Sequence, residues 1–372
     1  MQNKKMRALA YLVCVAVILV LAIPQFTIMH KEEPLYPGAG VTQEKMLSDY
    51  FPKLKGTAGD TRVYILDSGK PGGTALVLGG THGNEPSGYM SAVLLIEYSQ
   101  LSQGRLIVVP RTNNSGFSHN DYTEGSPQKF TLKTASGDRY FRYGSRATNT
   151  IDQWPDPDIY VHASSGQKLS GSETRNINRA YPGREDGTLT EQMAYGIVQL
   201  IKKENVAMTI DLHEASPEYP VINAMVAHEK AMDVAAVAVI DLQVEGMKIA
   251  LEPSPKGLRG LTHRELGDFT KTKAILMETA NPSQGRLRGA TNEALVVNGQ
   301  DKMYVQAAKL GRLFVPFTEK GHPLESRVAR HITGINVLFK DMSEFDPSKT
   351  IKFSKIPSYK EINTKGVGAF LH

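Results

Sequence analysis

Apolar positions in this chain fall into two kinds of pattern. Short runs, each closed by a turn, read as strands: Thr61–Leu66, which alternates, then Thr74–Leu78, Arg105–Val109, Ala207–Ile210 and Ala274–Met277. Longer stretches carry apolar residues at helical spacing. The clearest begins at Pro86 and continues to about Leu101, with Tyr89, Ala92, Val93, Leu95 and Ile96 on one side. Others cover Thr190–Glu204, Glu229–Asp241, Asn292–Leu313 and Ser326–Phe345, and a helical piece is expected around Thr42–Tyr50. Strands alternating with helices predict an α/β fold with a mostly parallel or mixed sheet covered by helices. From about Asn113 to Asp186 the pattern lapses into Gly, Ser, Asn, Asp and Pro, the mark of a functional loop region.

The ends differ from this middle. Lys4, Lys5 and Arg7 precede an unbroken apolar run from Ala8 to Ile23, extended by Pro24–Met29. A basic flank before such a run marks a signal peptide or signal anchor, and with the extension it is long enough for a tilted membrane helix. No small-x-small cleavage site follows it, so an anchored protein with its catalytic part outside the cytoplasm is expected, with a cleaved, secreted or periplasmic form as the alternative. Residues 31–59 are polar with Pro and Gly and read as a spacer, 60–345 as the catalytic domain, and the Lys- and Pro-rich 346–372 as a loosely packed tail.

Composition narrows the function classes. A hydrophobic share of 41% is ordinary for a globular chain. The net charge of +5 is small for 372 residues, with basic and acidic side chains interspersed, so nucleic-acid binding finds no support. The single cysteine, Cys14, lies in the N-terminal apolar run, which rules out a disulfide or a Cys-ligated metal in the domain.

Candidate chemistry sits where the apolar runs end. Gly79-Gly80-Thr81-His82-Gly83-Asn84-Glu85-Pro86 follows one strand, Thr209-Ile210-Asp211-Leu212-His213-Glu214 closes another, and Leu276-Met277-Glu278-Thr279 a third. Ligands of open α/β sheets gather outside the carboxyl ends of strands. Two imidazoles and a carboxylate meeting there, with Glu278 nearby, are the parts of a hydrolytic zinc centre. His-x-x-Glu alone is a poor signal, since His322-Pro323-Leu324-Glu325 has the same spacing in an ordinary loop. Context separates the copies: an apolar strand before the first, glycines that permit a sharp turn within it, and a helix after it. Asp211 or Glu214 would orient a ligand. Glu278, at a buried strand end, needs a partner or a task, and beside activated water the task is general base. In Arg175-Asn176-Ile177-Asn178-Arg179, clustered guanidinium and amide groups suit a grip on a carboxylate. Leu78–Gly83 fits neither nucleotide-loop pattern.

Taken together, Thr74 to Pro282 resembles the zinc carboxypeptidase superfamily, and most closely its succinylglutamate desuccinylase/aspartoacylase branch. The resemblance implies a three-layer α/β/α domain with a mixed central sheet of about eight strands, and one Zn²⁺ per chain held by His82, Glu85 and His213. It implies that Asn178 and Arg179 bind the substrate carboxylate and that Glu278 is the catalytic glutamate. The branch carries an Arg seven residues before the Asn-Arg pair, and here that position is Gly171. Arg175 is the nearest catalytic substitute, with Arg142 and Arg146 as alternatives from the loop region. The expected activity is zinc-dependent cleavage of an amide next to a free carboxylate, as in an N-acyl-amino-acid deacylase. The alternative is a metallocarboxypeptidase acting on peptides or peptidoglycan stems. The helical pattern after Glu278, in place of a further β-domain, and the export signal favour a peptide-like or envelope substrate. A binding module that has lost catalysis is the reading from another class: Gly171 supports it, and the intact ligand set opposes it.

Overall fold

The computed structural model describes residues 2–29, 31–121 and 125–372. Helix α1 (Gln2–Met29) is a continuous apolar rod, and its Asn3–Ile28 stretch is long and apolar enough to cross a membrane or serve as a signal sequence. Among its described side chains none is buried. Met1 and His30, at the ends of the N-terminal segment, lie outside the described residues.

Three strands follow, β1 (Val41–Met46), β2 (Arg62–Asp67) and β3 (Thr74–Leu78), then α2 (Pro86–Tyr98), β4 (Gln100–Gln103) and β5 (Arg105–Val109). The loop region holds two small hairpins, β6 (Lys129–Thr134) with β7 (Gly137–Arg142), and β8 (Ile159–Val161) with β9 (Lys168–Ser170). Next come α3 (Leu189–Lys203), β10 (Met208–Ala215), β11 (Ala224–Ala227), α4 (Met232–Val244), β12 (Ala250–Pro253), α5 (Thr262–Phe269) and β13 (Lys273–Ala280). The chain closes with α6 (Glu293–Asn298), α7 (Lys302–Lys309), α8 (Leu324–Phe345), β14 (Lys352–Lys355) and α9 (Tyr359–Lys365).

Eight strands form one mixed sheet in the order β1-β2-β5-β3-β10-β13-β11-β12. Its centre, β5, β3, β10 and β13, is parallel, so their carboxyl ends share one edge. Successive side chains of a strand face opposite ways, and both faces are covered. Ala75, Val77, Leu106 and Val108 join a core with α2, α4 and α8, while Leu76, Leu78, Ile107 and Val109 join another with α3. The predicted α/β/α architecture with a mixed eight-stranded sheet is the one observed. Gly88 lets α2 lie directly on β10, because a Cβ there would stand 2.3 Å from the Leu212 carbonyl oxygen.

Several boundaries differ from expectation. Thr42–Tyr50 is not a helix: it supplies β1, an edge strand with a mostly polar sequence, followed by a short 3-10 turn. The 31–59 segment is therefore no spacer, since β1 pairs with β2 and Leu47, Phe51 and Leu54 are buried. The tail is no loose end either. β14 pairs with β4, and Ile351, Ile362, Val367, Phe370 and Leu371 enter the core. The predicted Asn292–Leu313 helix breaks at Gly299, left-handed at φ 65°, with Asp301 capping α7 through the Tyr304 amide.

Candidate metal centre

At the carboxyl edge of the sheet β3 runs into Gly79-Gly80-Thr81-His82. Gly80 adopts φ +58°, with the Phe117 ring where a Cβ would be, and this turn swings His82 back over the strand ends. Glu85 occupies the N-cap of α2 yet caps nothing with its side chain, which points to the histidines instead. His213 lies on β10, paired in register with Glu278 on β13.

Both imidazoles turn Nδ1 to Glu85: His82 Nδ1 is 2.7 Å from Oε1 and His213 Nδ1 is 3.0 Å from Oε2. The rings stand nearly perpendicular, at 83°. Their outer nitrogens are anchored. His82 Nε2 donates to Asn176 Oδ1 at 3.0 Å, an oxygen that also accepts from the Asn178 amide. His213 Nε2 donates to Asp211 Oδ2 at 2.7 Å, and Asp211 is held in turn by the Thr81 hydroxyl at 2.6 Å. A neutral imidazole has one N–H. With both spent outward, two lone pairs and a carboxylate face one another in a buried place, an arrangement that a cation satisfies. The three donor atoms lie within 4.8 Å of one another, a buried cluster of the kind that can hold a metal ion. The residues fit such an ion, and a His₂Glu set leaves a position open for water or substrate.

Electrostatics distinguish the two rings: His82 is neutral, whereas His213, between Asp211 and Glu85, holds a proton that a bound cation would displace. Burial, with Arg146 adding to it, lowers His82 to about 4, so it is neutral. Burial pushes Glu85 up, but His82 and His213 hold it well below the usual carboxylate range. His213 is depressed by burial and lifted more strongly by Asp211 and Glu85. Glu278 keeps partial access to the cavity while its Oε2 is sealed without a hydrogen-bond partner. Burial raises its carboxyl to about 8, against the pull of His213 and with the push of Glu85.

A cavity of about 510 Å³ opens over these groups, with His82, Glu85, His213 and Glu278 in its wall. Of the sequence-predicted substrate contacts, Asn178, Arg179 and Arg146 line it. Asn178 Oδ1 accepts from the backbone and hydroxyl of Thr262, both at 2.8 Å, which leaves its amide NH₂ for the cavity. Burial and the neighbouring Arg146 lower the Arg179 guanidinium, the mark of two cations facing one space. Arg146 Nη1 also lies 3.8 Å from Glu85.

Two predicted residues are elsewhere. Arg175 is clamped to Asp156 at 2.7 and 3.0 Å and to the Thr148 carbonyl, away from the cavity. Arg142 is buried against Glu33, 2.8 Å away. Glu214 does not orient a histidine: it ion-pairs with Arg327 at 2.6 Å and accepts from the Ser87 amide. The expectation also missed Asn176 and His263. Asn176 stood in the Arg175–Arg179 cluster without a role at the histidines. His263, in the cavity wall with Nδ1 on Ser254, carried no signal in sequence.

No family model and no curated protein matches the chain. Solved structures do resemble it. A metallo-carboxypeptidase from Burkholderia cenocepacia aligns at TM-score 0.46 and 11% identity, covering 86% of this chain and 68% of that one. The apo Cell Shape Determinant protein Csd4 from Helicobacter pylori aligns at 0.46 and 12%, covering 82% and 59%. A succinylglutamate desuccinylase/aspartoacylase from Rhodobacter sphaeroides aligns at 0.37 and 16%, covering 61% and 54%. The chain thus spans about half the length of the Rhodobacter protein.

Proposed function

We propose that this chain is a metal-dependent hydrolase of the zinc carboxypeptidase type, cutting an amide bond next to a free carboxylate, with α1 as its membrane anchor. The observation that carries the reading is the convergence of His82, Glu85 and His213 beside Glu278, its strand neighbour in register. A zinc ion in that set would supply Lewis acidity toward water and the scissile carbonyl.

The remaining work falls to side chains. Glu278 accepts the proton of the attacking water and passes it to the departing amine, a task that its place in the cavity wall beside the histidines allows. Arg179 and the Asn178 amide bind the substrate carboxylate, which fixes the amide over the site. Arg146, the guanidinium nearest Glu85, is placed to stabilise the oxyanion, the role for which Gly171 offers no side chain. Asp211 and Asn176 hold the two imidazoles in one tautomer and orientation.

One observation favours a peptidase over a deacylase of small acyl groups. Val221, Val226, Leu258, Leu261 and Leu276 give the cavity an apolar wall, room for a side chain beyond the carboxylate grip.

The first test is elemental analysis of wild type and His82→Ala. About one zinc per wild-type chain, lost in the variant, is expected; absence of metal after zinc is supplied defeats the proposal. Release of C-terminal residues from peptides, against hydrolysis of N-acyl amino acids, separates the two substrate readings. Glu278→Gln should retain zinc and lose turnover by roughly 10²–10⁴-fold. An unchanged rate would remove Glu278 from the mechanism.

A further inference from the structure

We infer that the folded domain rests on the bilayer holding α1, with the site edge of the sheet turned toward the lipid and Ile151, Trp154, Ile159 and Val161 in its headgroup layer. The inference depends on α1 being a membrane helix.

The path of the chain after α1 sets the orientation. Because β3 runs toward the site edge, α2 begins at that edge with Pro86 and runs away from it. The N-terminal segment lies along α2 in the opposite sense. Gly38 donates to the Ile96 carbonyl and Tyr36 to Glu97, both near the far end of α2, whereas Glu33 accepts from Tyr89 one turn into it. The segment therefore leaves α1 at the site edge and runs along α2 to its far end.

At the site edge it is locked. Glu33 is 3% exposed and bonds Arg111, Arg142 and Tyr89, and Glu32 pairs with Arg111 at 3.1 Å. From Met29 to Glu33 the chain reaches at most ~14 Å even fully extended. So short a link holds the site edge against the membrane surface.

The same edge presents uncovered apolar side chains. Arg111 leads into the Ser115–Ser118 turn, and Ser115 donates to Asp152 at 2.6 Å, which fixes the loop bearing Ile151 and Trp154 beside the clamp. Ile151 is 76% and Trp154 72% exposed. On β8, Ile159 and Val161 point outward on either side of the buried Tyr160, whose hydroxyl reaches the carbonyl of Arg179 in the cavity wall. Trp beside aliphatic residues is the composition of a membrane interface, where one end of the ring is dry and the other wet. Asp152, Asp156 and Asp158 lie in this loop, so the contact is apolar insertion among zwitterionic headgroups, not capture by anionic lipid. The cavity then opens beside the bilayer, and its substrate is one carried at the membrane surface.

Trp154 is the only tryptophan in the chain, so its fluorescence reports this loop alone. The full chain would be reconstituted in phosphatidylcholine vesicles, plain or brominated near the headgroup, and floated on a density gradient. Co-flotation, blue-shifted emission and loss of most intensity in brominated vesicles are expected. Moving the probe to the opposite edge tests the orientation. Phe345 stands there, just before the 347–349 turn, and Gly73, immediately before β3, donates to the Thr350 carbonyl beyond it. Trp154→Phe/Phe345→Trp should float and remain unquenched, while Trp154→Phe/Ile151→Trp should be quenched like wild type. A chain that floats but keeps its emission in brominated vesicles overturns the docking and leaves the anchor standing. Blue-shifted emission without bromine quenching places the loop against a second copy and overturns it equally. Failure to float overturns the anchor itself.

Discussion

Among the arginines of the loop region, identity says little and packing says nearly everything. Arg142, Arg146, Arg175 and Arg179 are equivalent by residue type, yet only Arg146 and Arg179 reach the cavity. Arg179→Ala should lower kcat/KM by about 10–100-fold, the loss of a charge-assisted grip worth ~1.5–3 kcal/mol, without loss of zinc. Arg175→Ala removes a bidentate, largely buried pair with Asp156 and a bond to the Thr148 carbonyl and should cost about 1–3 kcal/mol of stability, with kcat/KM unchanged. Steady-state kinetics with thermal melts of both variants check the sorting. His82, Glu85, His213 and Glu278 were legible in sequence because each ends or follows an apolar strand. Asn176 and His263 were not, because their roles arise from where a loop and α5 happen to lie.

At the level of elements, the clamp on Glu33 is the least expected feature, since a polar segment after an apolar run carries no sign that it will be buried. Burial opposes ionisation of Glu33, but Arg111, Arg142 and the Tyr89 hydroxyl prevail and bring its carboxyl down to about 2. A folded value below the unfolded one stabilises the ionised state. This contribution is therefore complete above pH ~4.5 and is lost as pH falls through about 2. Glu33→Gln should destabilise the domain at neutral pH by about 1–3 kcal/mol, because it removes the carboxylate charge that Arg111 and Arg142 share. It should also weaken the pH dependence between 4.5 and 2, which denaturant melts across that range would show. β1 escaped notice for a related reason. As a polar edge strand paired only with β2, it shows no apolar alternation, whereas β3, β5, β10 and β13 announce themselves by being covered on both faces.

Across the whole molecule the two chain ends complete the domain. Residues 346–372 place Ile351, Ile362, Val367, Phe370 and Leu371 in the larger core. At ~1.5–3 kcal/mol for each buried side chain, their loss rivals the total stability of a typical domain. Truncation before Asp346 should yield a chain without a cooperative melt by circular dichroism; a stable, folded product would show that the core closes without them. By itself the sequence determined the α/β class, the central strands, the major helices and the four residues of the candidate centre, because burial on both faces of a sheet imposes patterns that local reading recovers. Tertiary structure alone decided which arginines line the cavity, that the expected spacer and tail belong to the fold, and that Glu33, just after α1, is locked at the edge where the cavity opens. Those outcomes depend on contacts between segments tens to hundreds of residues apart, which leave no periodic mark in either partner.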